Sequence, residues 1–161
     1  MSAPITDLFT SHLEWTGAAT GPTRDPATFS RDLVVSVDAM SLPMSSAPRF
    51  HGDPSKANPE QLFVASLSAC QALSYLFLAA KYGVTVVSYS DDAAGRLSVV
   101  DGKLRMSHVT LRPRVGLEPG ADESRARDLV LVAHEACFIA SSVSAAIELL
   151  PTVEFATVEV I

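Results

Sequence analysis

Cys70 and Cys137 are the only two cysteines in the chain, and they are the residues best suited to covalent chemistry. A thiol reacts as its thiolate, so a working cysteine needs neighbours that favour the anion: Arg, Lys, His or a helix N-terminus. Cys70 lies within "NPEQLFVASLSACQALSYLFLAAKYG", Asn58 to Gly83, the most apolar run of the sequence. It sits several turns into the predicted helix, where the N-terminal dipole has largely faded. Activation must therefore come from elsewhere in the fold. The nearest carboxylate in the sequence, Glu60, is ten residues back, which is about 15 Å along an unbroken helix. Glu60 cannot easily touch the Cys70 of its own chain. A second subunit placed antiparallel across a two-fold axis could supply the missing partner.

Cys137 lies in "AHEACFIASSV", with His134 three residues before it and so on the same helical face. Two thiols in apolar settings allow a peroxide cycle, in which one becomes a sulfenic acid and the other condenses with it to a disulfide. Two inert core thiols would look the same, because free cysteine is among the most buried residue types. A third chemistry is a Cys–His hydrolase with His134 as base, against the plainer reading of His134 as a cap on a neighbouring backbone group. His12, His51 and His108 lack metal-ligand spacing with either cysteine, so neither a metal nor a cofactor is expected. Trp15, Phe63, Tyr75 and Phe77 read as core, while Phe63 and Phe138 could line an apolar pocket beside the thiols. The basic run "RPRV", Arg112 to Val115, reads as the exposed face of a strand.

These residues must be positioned by 161 residues, near the size of one ordinary domain, and residues 1–161 are read as one. The hydrophobic share of 48% exceeds that of an average domain and points to surface buried in an oligomer. A net charge of -6 with no basic face argues against nucleic acid. The opening "MSAPITDLFTSHLEW" has neither a basic n-region nor an apolar h-region, so the expected compartment is the cytoplasm. There, two distant cysteines are more readily free, metal-bound or redox-active than a permanent bridge. Gln61 to Ala80 spans twenty residues without formal charge, the length of a bilayer span. Its Gln and Ser residues, its alanines and the lack of a second span favour a central helix covered by protein, and no membrane is expected.

Leu8 to Thr16 and Phe29 to Val37 read as strands of a hairpin-like pair around the turn-rich "GAATGPTRDP". Ala39 to Lys56, with three prolines, reads as irregular. Asn58 and Pro59 mark a helix start, Glu60 favours the positive end of the dipole, and Gly83 ends the helix. Val84 to Ser90 reads as a strand, and Asp101-Gly102 as the turn of a hairpin in the meander that follows. Ala121 to Cys137 is expected to be helical with its cap near Asp122. "FIASSVSAAIELL" is expected to form a further short helix, and "TVEFATVEVI" a closing strand. This order is α+β.

"NPEQLFVASLSAC" followed by "AHEACFIASSV" resembles the OsmC/Ohr family, the osmotically inducible protein C and organic hydroperoxide resistance proteins. The shared pattern is Asn-Pro-Glu-Glu/Gln-Leu, a cysteine ten residues after the glutamate, and a second cysteine after an Ala-His-X-X stretch. The order of elements, from "HLEWTG" and "FSRDLVVS" to the closing strand, extends the likeness over nearly the whole chain. The resemblance implies antiparallel sheets wrapped around a long central helix, in an intertwined homodimer with two interface sites. It implies a peroxidatic Cys70, a resolving Cys137, and Glu60 paired with an arginine that stabilises the thiolate. Two arginines fit. Arg24 in "GPTRDP" matches the loop after the first strand in hydroperoxide-resistance members, and Arg31 matches members sharing the "SRD" stretch. A guanidinium stays charged at any working pH, so either would serve.

After the second cysteine this chain has Phe-Ile-Ala, where hydroperoxide-resistance members carry a proline, which places it nearer the OsmC side. The leading expectation is a thiol-dependent peroxidase acting on organic hydroperoxides. A Cys70–Cys137 disulfide would be recycled by a dithiol reductant; the family suggests lipoylated proteins or small thiols. Function belongs to the site and not to the fold. The alternative is therefore an OsmC-like redox-sensing or small-molecule binding protein with little turnover.

Overall fold

The computed structural model describes residues 6–156, so residues 157–161 of the expected closing strand lie outside it. The chain divides into two compact units, the first running to Leu62 and the second starting at Phe63.

In the first unit, β1 (His12–Glu14), β2 (Leu33–Val37) and β3 (Met40–Met44) form a sheet in that order with antiparallel neighbours. Leu13 lies opposite Val35, and Val35 opposite Leu42. The expected opening pair is present, but both strands are shorter than the sequence suggests. Leu8 and Phe9 precede β1 and are 88% and 90% exposed, so no packing extends the strand to them. The stretch read as irregular contains β3, hidden by Pro43. At the sheet edge a missing N–H costs no ladder bond. Asp38, at φ 50°, takes the left-handed turn between β2 and β3. Gly52 is required where it stands, because a Cβ there would lie 1.6 Å from the Ser46 carbonyl oxygen.

Helix α1 (Pro59–Lys81) starts as the sequence predicts. The Gln61 N–H donates to Asn58 Oδ1 at 3.0 Å and the Asn58 N–H to Gln61 Oε1 at 3.0 Å, a reciprocal capping box with Pro59 in the first turn. At the other end Gly83, at φ 72°, lets the Val84 N–H reach back to the Ala79 carbonyl at 2.8 Å. This closes the helix with a Schellman turn. By length and composition alone α1 could cross a membrane, with a mean hydropathy of 1.7.

The second unit holds two three-stranded sheets. One has β4 (Val86–Asp91), β7 (Pro113–Leu117) and β9 (Thr152–Phe155) in the order β4-β7-β9. The other has β5 (Ala94–Val100), β6 (Lys103–Leu111) and β8 (Ala146–Leu149) in the order β5-β6-β8. Asp101 and Gly102, at φ 51° and 73°, make the expected tight hairpin between β5 and β6. The expectation of antiparallel sheets needs correcting, because β6 and β8 run parallel, as do β7 and β9. Between β7 and β8 the chain passes through α2 (Glu123–Glu135) and α3 (Phe138–Ser141). A crossover of that kind is what parallel neighbours require.

Helix α2 has the expected cap, with Asp122 Oδ1 accepting from the Arg125 N–H at 2.9 Å. The predicted last helix is cut to four residues. Later in that segment comes β8, where Ile147 and Leu149 alternate inward to pack beside Val109 and Leu111 while Ala146 and Glu148 stay exposed. One core joins Tyr75, Leu78 and Ala79 of α1 to Val115, Leu117 and Val153 of the β4-β7-β9 sheet and to Ala126, Leu129, Val130 and Ala133 of α2. A second joins Leu67 of α1 to Val109 and Leu111. Thus α1 serves both sheets of this unit. Its other face is uncovered, with Leu73 70% and Phe77 66% exposed, so Phe77 is not the core residue its sequence suggests.

Candidate functional site

The reactive geometry starts with two side chains one turn apart on α1. The Gln71 Nε2 donates to the Val130 carbonyl at 3.0 Å, and the Tyr75 hydroxyl to the Ala126 carbonyl at 3.2 Å. Moving forward by one turn on α1 moves back by one turn on α2, so the two helices are fastened in antiparallel register. Both donors are only 1% exposed, and breaking either bond would strand a buried polar group. The register carries the C-terminal end of α2 back alongside Cys70.

There the chain leaves helical geometry at Cys137, with φ -75° and ψ 112°. Cys137 becomes the N-cap of α3. Its Sγ accepts from the Ala140 N–H at 3.4 Å, and its own N–H donates to the His134 carbonyl at 3.2 Å. This turn brings its thiol, 1% exposed, close enough to the half-buried Cys70 thiol for each to shift the other's ionisation. No disulfide joins them.

The two thiols are not equivalent. Burial pushes the Cys70 pKa up, but hydrogen bonds from Cys137, from the Ile139 and Phe138 N–H groups and from Ser74 outweigh it, and the net direction is below the usual thiol value of 9.0. Burial pushes Cys137 up, and its bond to Cys70, which favours the Cys137 proton staying in place, pushes it further the same way. Cys70 therefore ionises first. The donors that favour its thiolate are a neighbouring thiol, two backbone amides at the start of α3 and a hydroxyl one turn along α1. Sequence reading missed these amides and Ser74. Ser74, four residues after Cys70, is the one with a sequence signal, since i and i+4 share a helical face. The amides had none, because they depend on where α3 begins.

The other expected site residues belong to the first unit. The Glu60 Oε2 is buried with no hydrogen-bond partner. Arg31 is half-buried, donates from Nη1 to the Phe29 carbonyl and from Nη2 to the Pro26 carbonyl, and stacks 3.9 Å from the Phe29 ring centroid. Arg24 is exposed. Among the described residues neither arginine forms an ion pair with Glu60; the cation paired with acids in this unit is Lys56, 2.8 Å from Asp32.

In the second unit, the Nδ1 of His134 is buried without a partner, so that nitrogen caps no backbone group. Phe63 packs against the core around Leu67, whereas Phe138 is 81% exposed. Trp15 in the first unit is structural, donating from Nε1 to the Ser30 carbonyl at 2.8 Å.

Two free thiols brought close together on an apolar helix of an α+β fold are an arrangement that permits dithiol redox chemistry. The family model for OsmC-like proteins matches residues 52–150, and the chain belongs to that family. Among solved structures, an OsmC-like protein of unknown function from Vibrio cholerae is 28% identical with a TM-score of 0.83, covering 91% of this chain and 100% of that one. An organic hydroperoxide resistance protein OsmC from Legionella pneumophila is 20% identical with a TM-score of 0.65, over 92% of this chain and 99% of that one. One from Elizabethkingia anophelis, with thiocyanate bound, is 21% identical with a TM-score of 0.66, over 94% and 100%. The last two likenesses concern the fold alone. No curated protein matches the chain.

Proposed function

We propose that the protein is a thiol-dependent peroxidase that reduces organic hydroperoxides through Cys70 and Cys137. The observation that carries this reading is the approach of two free thiols, Cys137 capping α3 beside Cys70, with the surroundings favouring the Cys70 anion. The Cys70 thiolate attacks the terminal oxygen of the hydroperoxide, the O–O bond breaks, and the alkoxide leaves as an alcohol after taking a proton. Cys70 is then a sulfenic acid. The Cys137 sulfur attacks it, water departs and a disulfide forms. An external dithiol returns both sulfurs to thiols by exchange. Support for the substrate class comes from the family and from the apolar α1 segment around Cys70.

In the same proposal the site is completed in a cytoplasmic homodimer. Glu60 and one cation, Arg31 or Arg24, act on a thiolate contributed by the other subunit. The unpartnered, buried Glu60 Oε2 supports this, since a carboxylate oxygen without a donor is costly unless a cation reaches it. The physiological reductant is a dithiol of the lipoylated-protein kind.

The test is consumption of cumene hydroperoxide with excess dithiol, alongside titration of free thiols after one equivalent of hydroperoxide and mass spectrometry for a Cys70–Cys137 peptide. The expected result is turnover that Cys70→Ser abolishes. A disulfide that forms with negligible turnover would replace this reading with a redox-sensing or binding protein. Burst release from an activated ester that survives Cys70→Ser and is lost in Cys137→Ser would point instead to a hydrolase.

A further inference from the structure

Helix α3 is four residues long, too short to persist on its own hydrogen bonds. The first N–H groups of a helix have no partner within it, and here the Cys137 sulfur satisfies that of Ala140. The Ala140 N–H donates to the Cys137 Sγ at 3.4 Å, and the Phe138 and Ile139 N–H groups beside it favour the Cys70 anion. Beyond these, the turn is held by the Ser141 N–H on the Cys137 carbonyl at 3.1 Å, the Ser142 N–H on the Ile139 carbonyl at 3.0 Å, and the Ser141 and Ser142 hydroxyls, which donate to the Phe138 carbonyl at 2.8 and 2.7 Å. Its leading side chain, Phe138, is 81% exposed and holds nothing in place; Ala140 is the part of the turn that packs against the core.

We infer that the two thiols together hold the first turn of α3, and that joining them as a disulfide releases it, making residues 138–142 a redox-responsive element beside the reacting sulfurs. A disulfide brings the sulfurs to about 2.05 Å with a torsion near 90°, far closer than a hydrogen-bonded contact. The Cys137 Sγ must leave the line of the Ala140 N–H to reach it. The disulfide also takes away the ionisable thiol of Cys70, and a disulfide sulfur is a weaker acceptor than a thiolate. The Ala140 N–H loses its partner, and the Phe138 and Ile139 N–H groups lose the thiol they favour as an anion, in one step. The exposed Phe138 end of the turn then moves, while Ala140 anchors the other end.

This rests on the Cys70–Cys137 pairing of the proposed function but not on peroxidase turnover, and the experiment separates the two. Diamide, a diazene, takes two electrons and two protons from the thiol pair, leaving a disulfide and the corresponding hydrazine, with no peroxide involved. Amide hydrogen exchange across residues 138–142 is measured for the reduced protein, for the diamide-oxidised protein and for Cys137→Ser. Serine is a strong N-cap and cannot form the disulfide.

Exchange at Ala140 and its neighbours should be at least about fivefold faster after oxidation, the factor expected for loss of an N-cap. In Cys137→Ser it should not respond to diamide. The inference is overturned if oxidised protein, lighter by two hydrogens, exchanges at the reduced rate, or if Cys137→Ser accelerates equally. It is also overturned if diamide forms no Cys70–Cys137 disulfide. A protein that passes this test yet fails to consume cumene hydroperoxide would keep the switch and lose the peroxidase reading.

Discussion

At the residue scale, the ionisation of Cys70 is decided by four donors against burial. Each donor stabilises the anion and not the neutral thiol, so removing one must raise the pKa. The reactive fraction grows as pH rises through the folded-state pKa, which lies below 9.0. Iodoacetamide labelling of Cys70 followed against pH should therefore show a midpoint below 9.0. Ser74→Ala and Cys137→Ala should each move that midpoint upward. A midpoint unchanged in both variants would show that neither donor reaches the sulfur. Cys137 is held in the opposite state by the same contact, which suits a resolving thiol that should not be oxidised first.

At the element scale, the site depends on the register between α1 and α2 more than on any residue touching sulfur. The Tyr75 hydroxyl and the Gln71 amide fasten that register through the Ala126 and Val130 carbonyls. Tyr75→Phe keeps the ring in the core and removes one buried bond, which should cost about 1 kcal/mol in urea unfolding. It should also slow formation of the Cys70–Cys137 disulfide by diamide, since Cys137 is then less firmly presented. Asn58→Ala, which opens the capping box at the start of α1, should cost about 1 kcal/mol too. That variant should leave disulfide formation unchanged, because the loss lies far along the helix from Cys70. Equal effects of the two variants on disulfide formation would remove the special role given to the α1–α2 register.

At the scale of the whole molecule, the question is what covers the outer face of α1. Leu73 and Phe77 are one turn apart and both largely exposed in the single chain. Large apolar exposure of this kind usually marks an interaction surface. In the proposed homodimer a second copy covers it, and Phe77→Asp should shift sedimentation from dimer to monomer. The dimer also separates Glu60 from the Cys70 of its own helix. Glu60→Ala and Cys70→Ser should each be inactive alone, and mixing them after subunit exchange should restore activity. In the mixed dimer, one site would contain both an intact Glu60 and an intact Cys70. No recovery on mixing would place Glu60 and Cys70 of the same chain in one site.

The sequence by itself determined the elements whose signals are local. The limits of α1 follow from Asn58, Pro59, Gln61 and Gly83; the β5–β6 hairpin from Asp101-Gly102; and the start of α2 from Asp122. Each is fixed by hydrogen bonds and backbone angles among residues a few positions apart. Two motifs also sufficed for the family. The parallel placement of β8 and β9 was decided only by tertiary structure, as was the existence of β3 and β8. Strand pairing depends on distant partners, and prolines or small residues mask a short strand's own pattern. The same holds for the thiol pair. Spacing named both cysteines, but their contact and the acidity of Cys70 come from two helices locked in register and from amides freed by the break at Cys137.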